Sequence, residues 1–195
     1  ANPLDGARKP GTVGPPLPGV ECLVVNDASE ALPAGETGNL WVRGPNVFQG
    51  YWQNVEKTAE SFTSDGYFKT GDLAVVDDDG YISIVGRSKD LIITGGLNVY
   101  PKEIELVLDA IDGVMESAVI GLPHPDFGES VCAVIVSLPE VDLTPEFIFD
   151  QIKTRLANFK TPKKIFFLQN LPRNTMGKVQ KNQLREQFSD AAHNQ

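Results

Sequence analysis

Short runs of apolar residues, broken by turn residues, make up the first part of the chain. The runs at 21–25, 38–43, 73–76 and 81–85 are rich in residues that suit a pleated surface, which predicts strands. Pro33-Ala34-Gly35 and Asp77-Asp78-Asp79-Gly80 separate them, and the second stretch sits where a hairpin turn belongs. A short helix is predicted over 55–61 with Asn54 as its N-cap. Residues 1–20 hold five prolines and four glycines and read as an extended, turn-rich segment.

The later pattern has a longer period. A strand over 91–94 ends at Gly95-Gly96, read as a turn between a strand and a helix. Pro101 suits the first turn of that helix, and Ile104, Val107, Leu108 and Ile111 fall on one of its faces, with Gly113 as the stop. Strands at 117–122 and 130–138 flank a loop at 123–129. Thr144 and Pro145 then cap a helix with the stripe Ile148, Ile152, Leu156 and Phe159. A strand at 164–168, a loop and a helix over 180–188 complete the pattern. The fold class predicted is α+β: a β-rich subdomain over 1–86, then a small mixed-sheet domain over 87–195 with helices packed on it.

Charge supports that division. Up to Gly86 there are 5 basic and 12 acidic residues; from Arg87 onward there are 12 and 14, within a net charge of −9. Against this acidic background, residues 151–185 carry nine basic side chains and no acid. Such a segment is either placed for an anionic ligand or is a solvated face. With 41% hydrophobic residues among 195, a core is expected. No apolar run approaches the roughly 20 residues of a membrane span. The chain opens without a basic and then apolar leader, and without an initiating Met, which suggests a fragment of a longer protein. Cys22 and Cys132 are far apart and make neither a disulfide framework nor a metal site. His124 lies between two prolines and His193 in a polar tail, and neither is assigned any chemistry.

Four motifs carry the chemistry. They are Gly66-Tyr67-Phe68-Lys69-Thr70-Gly71-Asp72; Gly86-Arg87-Ser88-Lys89-Asp90; Gly95-Gly96-Leu97-Asn98-Val99-Tyr100-Pro101-Lys102-Glu103-Ile104-Glu105; and Pro172-Arg173-Asn174-Thr175-Met176-Gly177-Lys178. By chemistry alone, Asp72 can accept bonds from adjacent hydroxyls or be an ordinary turn acid. Arg87 can hold an anion or pair with a local acid such as Asp90. Lys178 offers a compact point charge suited to a phosphate oxygen. Each motif is weak by itself, but the order and spacing of the four resemble the C-terminal third of the AMP-forming acyl-CoA synthetases, within the adenylating superfamily. The similarity covers nearly the whole chain.

The resemblance implies a ligase that works in two steps, through an acyl-adenylate and then a CoA thioester, with a mobile C-terminal domain that rotates between them. It implies ATP/AMP, Mg²⁺ and coenzyme A as cofactors and a small carboxylate as partner. Malonate is the expected acid, on the strength of Asn2 to Val20, Arg43 to Trp52 and Asn174 to Lys181. It assigns Lys178 to catalysis of adenylation, Asp72 and Arg87 to the ribose, Gly95 and Gly96 to the cofactor channel and Lys89 to the hinge, with no protein metal site. The phosphate loop and acyl pocket of the family are not in this stretch, so the chain alone is expected to be inactive. A cytoplasmic location is expected. One alternative is another short- or medium-chain acyl-CoA synthetase. Another is a stand-alone module binding RNA or another anion, which needs stacking aromatics among the basic residues. Phe159, Phe166 and Phe167 are close by but are expected to face a core.

Overall fold

The four β-like runs form an antiparallel meander: β1 (Glu21–Val25), β2 (Thr37–Arg43), β3 (Phe68–Val76) and β4 (Ile82–Arg87), adjacent in that order. These assignments come from a computed structural model, which describes residues 1–189; the predicted position of His193 lies outside them. The chain separates into two units, Ala1–Lys89 and a second beginning at Asp90. The sequence reading puts the boundary at Arg87, but that residue is the last of β4 and belongs to the first unit.

Alternation along the strands buries Val24, Leu40, Ala74 and Ile82 against one another. The predicted hairpin is present. Asp77 Oδ1 accepts the N–H groups of Asp79 and Tyr81, and Gly80 takes the positive φ the turn requires. Between β2 and β3 lies α1 (Val55–Ser61), whose Asn54 cap accepts the Lys57 N–H at 2.9 Å. Strand β3 begins five residues before its apolar run, at Phe68. Its first half pairs with β2 through backbone at Trp41 and Val42, and register shifts with both neighbours break the alternation that would have revealed it. The proline-rich segment 1–20 is tied down by Lys9, which pairs with Asp77 and Asp79, and by a bridge from Gly14 to Ile82.

In the second unit β5 (Ile92–Thr94), β6 (Leu97–Val99), β7 (Val114–His124), β8 (Gly128–Ser137) and β9 (Lys164–Phe167) form one mixed sheet. Strand β7 pairs along the length of β8, β9 runs parallel to it over Cys132–Ile135, and β5 meets it at Gly128. Helices α2 (Pro101–Leu108) and α3 (Pro145–Ile152) cover one face, packing Ile104, Leu108, Ile148 and Ile152 on Val119, Val131, Ala133 and Ile135. Helix α4 (Lys181–Phe188) covers the other with Leu184, over Ile120, Leu122, Cys132 and Val134. Both faces of β7 and β8 are therefore buried, which is why they read as near-continuous apolar runs. Ile148 and Ile152 are fully buried, so truncating either to Ala should cost roughly 2–5 kcal/mol.

Several elements differ from the sequence reading. The loop expected at 123–129 is mostly strand: β7 runs to His124 and β8 starts at Gly128, because the backbone ladder continues past Pro123. Helix α2 stops at Leu108, and Ile111 is buried in a turn instead. Helix α3 stops at Ile152; Leu156 still reaches the core, but Phe159 and Phe167 are 36% exposed. Phe166 alone of the three phenylalanines packs inward, stacked on Phe188 at 4.1 Å. Among the described residues no helix is long and apolar enough to cross a membrane.

Candidate functional site

In the first unit Asp72 and Arg87 are cross-strand partners on β3 and β4. Arg87 Nε lies 2.9 Å from Asp72 Oδ1, and its Nη1 donates to Thr70 O at 3.1 Å. Gly71 makes this possible: its φ of 74° lies in the left-handed region, and it redirects the strand so that Asp72 follows a kink. Thr70 Oγ1 secures the kink by donating to Leu40 O and accepting the Asp72 N–H. Ser88 Oγ donates to Gly71 O from the far side of the ladder. Asp72 Oδ2 has no partner among the described residues, and its side chain is partly exposed. The carboxylate is thus oriented by one cation with an oxygen to spare. The local acid suggested for Arg87, Asp90, pairs with Arg185 instead.

The Lys178 loop in the second unit is a tight, internally bonded hairpin. Arg173 and Val179 form an isolated bridge, and Asn174 N–H donates to Lys178 O at 2.9 Å. The Asn174 carboxamide oxygen accepts the N–H groups of both Met176 and Lys178, at 3.0 and 2.9 Å. This is the local backbone-mimicking bond that favours Asn in turns. Gly177, with φ 78°, closes the turn. Arg173 pairs with Glu116 on β7 and also donates to Gly177 O at 2.6 Å. The loop backbone is held, while the Lys178 side chain is exposed and has no partner among the described residues.

Gly95 and Gly96 form the two-residue turn between β5 and β6, so this is a strand–strand hairpin and not a strand–helix turn. Both have positive φ, 57° and 77°, as such a turn demands. Gly95 N–H donates to Phe127 O, and a Cβ on Gly95 would sit 3.5 Å from the Phe127 ring. The turn borders a cavity of about 310 Å³ walled by Leu97, Phe127, Phe159 and Lys163. That size is near the lower end for ligand pockets and suits a narrow chain-like group better than a whole nucleotide.

Lys89 lies in a single 3₁₀ turn, Ser88–Asp90, is exposed, and is the last residue of the first unit. The acid-free run 151–185 is not a free cationic face. Among the described residues at least five of its nine basic residues pair with acids: Lys153 with Asp150, Lys160 with Glu103, Arg173 with Glu116, Lys181 with Glu105 and Arg185 with Asp90. The sequence reading gave a role to Lys178 alone among these nine; Lys163 lines the cavity and Lys160 is engaged by Glu103. It also missed Asn174, although an Asn two residues after a Pro and three before a Gly is a readable turn signal. Phe127 carried no local signal; Glu105 and Lys181 lie at the ends of runs the sequence singles out but received no role there.

The AMP-binding enzyme family matches residues 1–52, and the AMP-binding enzyme C-terminal domain matches residues 103–178. Among curated proteins, "Probable CoA ligase CCL8" of Humulus lupulus is 42% identical across 97% of this chain and 33% of its own length. The malonate–CoA ligase of Arabidopsis thaliana is 41% identical over the same shares. Among solved structures, ATP-bound MatB from Rhodopseudomonas palustris has 54% identity and a TM-score of 0.92, covering 98% of this chain and 38% of that one. The chain belongs to the AMP-binding enzymes, the adenylating superfamily that includes the AMP-forming acyl-CoA synthetases. It spans about a third of the length of the curated relatives it matches.

Proposed function

We propose that the chain is the Lys178-bearing part of an ATP-dependent, AMP-forming acid–CoA ligase that converts malonate to malonyl-CoA in the cytoplasm. The observation that carries the ligase reading is Lys178: an exposed ammonium, with no partner among the described residues, on a loop whose backbone is fixed by Asn174. In adenylation a carboxylate oxygen attacks the α-phosphorus of ATP and the bond to pyrophosphate breaks. A positioned ammonium stabilises the charge that grows on the α-phosphoryl oxygens, and losing one such donor costs about 10²–10³ in rate.

Asp72, oriented by Arg87, accepts the ribose hydroxyls through its spare oxygen. In the second step the CoA sulfur attacks the acyl carbon and AMP leaves. The Gly95–Gly96 turn and its cavity fit a pantetheine chain, with apolar walls along its length and Lys163 at the rim for a phosphate. A rotation about Lys89 between the steps is part of the proposal. Mg²⁺ enters here with the ATP phosphates; among the described residues no group of three or more His, Cys, Asp or Glu side chains could hold a metal ion.

Malonate rests on similarity to the Arabidopsis thaliana ligase, which is no nearer than the protein named only as a CoA ligase. Comparing kcat/KM of the full-length enzyme for malonate, methylmalonate, acetate and octanoate tests it. Malonate is expected to lead. A preference for octanoate or acetate would transfer the assignment to another acyl-CoA synthetase and leave the two-step chemistry standing. Because at least five of the nine basic residues are already paired among the described residues, a free RNA-binding surface is the less supported reading.

A further inference from the structure

The start of α4 is poorly encoded as a helix start. Gln180 makes no side-chain cap, the first turn holds no acid, and Lys181 places a cation at the end of the helix dipole that disfavours it. Something outside the helix must therefore hold this end. Lys181 Nζ reaches Glu105 Oε1 at 2.6 Å, and the same oxygen accepts the buried N–H of Val119 on β7 at 3.0 Å. The side chains are only 16% and 10% exposed. Lys102 approaches the other Glu105 oxygen at 3.8 Å. Glu105 thus ties α2, β7 and the first residue of α4 to one point.

That point lies three residues after Lys178. The base of the lysine loop closes through Gln180 N–H to Pro172 O at 2.8 Å, so displacing Lys181 displaces the loop. At the other end of the loop, Arg173 is held by Glu116, also on β7. A buried ion pair is a weak device for stability, since desolvation offsets most of its attraction; its attested use is to specify one arrangement over others.

We propose that Glu105 and Lys181 are positioning residues for adenylation: their pair sets where the rigid 173–179 loop presents the Lys178 ammonium. The inference rests on the reading of Lys178 above. Neither residue touches a reactant. A misplacement of about 1 Å in a catalytic group can cost on the order of 10²-fold in rate, so loss of the pair should slow the first half-reaction while leaving the second intact.

The test uses the full-length enzyme with Lys181→Met, Glu105→Gln, the double substitution, Lys181→Arg, and Lys178→Ala as control. Pyrophosphate release at saturating ATP, thioester formation from supplied acyl-adenylate, thermal unfolding and hydrogen exchange of peptides spanning 172–180 are measured for each. Lys181→Met should lower kcat for pyrophosphate release about ten- to hundredfold, change the KM for ATP by less than about twofold, and spare thioester formation. Exchange at the Asn174-bonded amides should rise. The double substitution removes the stranded charge, so it should regain thermal stability without regaining rate, whereas Lys181→Arg should regain rate. Recovery of rate together with stability in the double variant would reduce the pair to a structural role and overturn the proposal. So would unchanged exchange over 172–180 in Lys181→Met. If Lys178→Ala leaves pyrophosphate release intact, the reading of Lys178 fails, and the exchange data still decide whether the pair orders the loop.

Discussion

Arg87 holds Asp72 across the β3–β4 ladder, Nε to Oδ1 at 2.9 Å, and leaves the carboxylate partly exposed. A surface pair of this kind is worth only about 0–1 kcal/mol to stability, so its geometry matters more than its strength. Asp72→Ala in the full-length enzyme should therefore raise the KM for ATP at least about tenfold, roughly one lost charge-assisted bond, while hardly moving the melting temperature. An unchanged KM for ATP would remove Asp72 from the ribose site.

Lys89 is expected to matter through its backbone. Proline there fixes φ near −65° and restricts Ser88 before it. Lys89→Pro should retain pyrophosphate release and lose thioester formation, whereas Lys89→Ala should retain both. Equal impairment of both half-reactions by Lys89→Pro would argue against a hinge at this position.

Asn174 organises the lysine loop through two backbone amides. Asn174→Ala leaves both without that acceptor on an exposed loop. Global stability should fall by no more than about 1 kcal/mol. Adenylation should fall at least about tenfold, because Lys178 would then sample many positions. Pyrophosphate release and chemical denaturation measured on one preparation separate the two effects.

Lys163 borders the cavity beside the Gly95–Gly96 turn. Lys163→Ala should raise the KM for CoA several-fold without altering the KM for ATP. A change confined to ATP would count against this cavity as the CoA channel.

Cys132 is buried between β7, β9 and α4, and burial pushes its thiol up to about 11 from an ordinary value of 9.0. A raised thiol pKa means the folded state keeps the proton that the unfolded state gives up. Its contribution to stability is whole below pH 9, declines as pH rises toward 11, and is absent beyond. Native protein at pH 8 should react with a thiol reagent at Cys132 far more slowly than unfolded protein. Cys132→Ala should lessen the alkaline loss of stability between those values. Rapid native labelling of Cys132 would contradict the buried position.

Local signals were legible wherever a few neighbouring residues decide the outcome. Asn54 caps α1, Thr144 caps α3, and Asp77 to Gly80 turn the chain, each through bonds spanning four residues or fewer. The helical stripes of α2 and α3 marked their buried faces, but not their ends, because Ile111 and Leu156 reach the core from turns. Strand β3 was half hidden, since a bulge at Gly71 destroys the period on which strand recognition depends. The candidate site divided in the same way. Asp72, Arg87, Gly95, Gly96, Lys89 and Lys178 could be named from motifs, whereas Asn174, Glu105 and Lys181 could not be given roles from the chain alone.

The sequence by itself determined the α+β class, most of the order of elements though not β6, the family, and the loop that carries Lys178, because propensity, capping and turn chemistry act over a few residues. Only the tertiary structure decided which charges are spoken for. Lys181 finds Glu105 across 76 positions, and Arg185 finds Asp90 across 95. Pairing between such distant residues depends on which faces the sheet brings together, and buried charges persist only where a partner is brought to meet them. An acid-free stretch that resembled an open cationic surface is therefore largely neutralised, and Lys178 stands out as an exposed cation with no partner among the described residues.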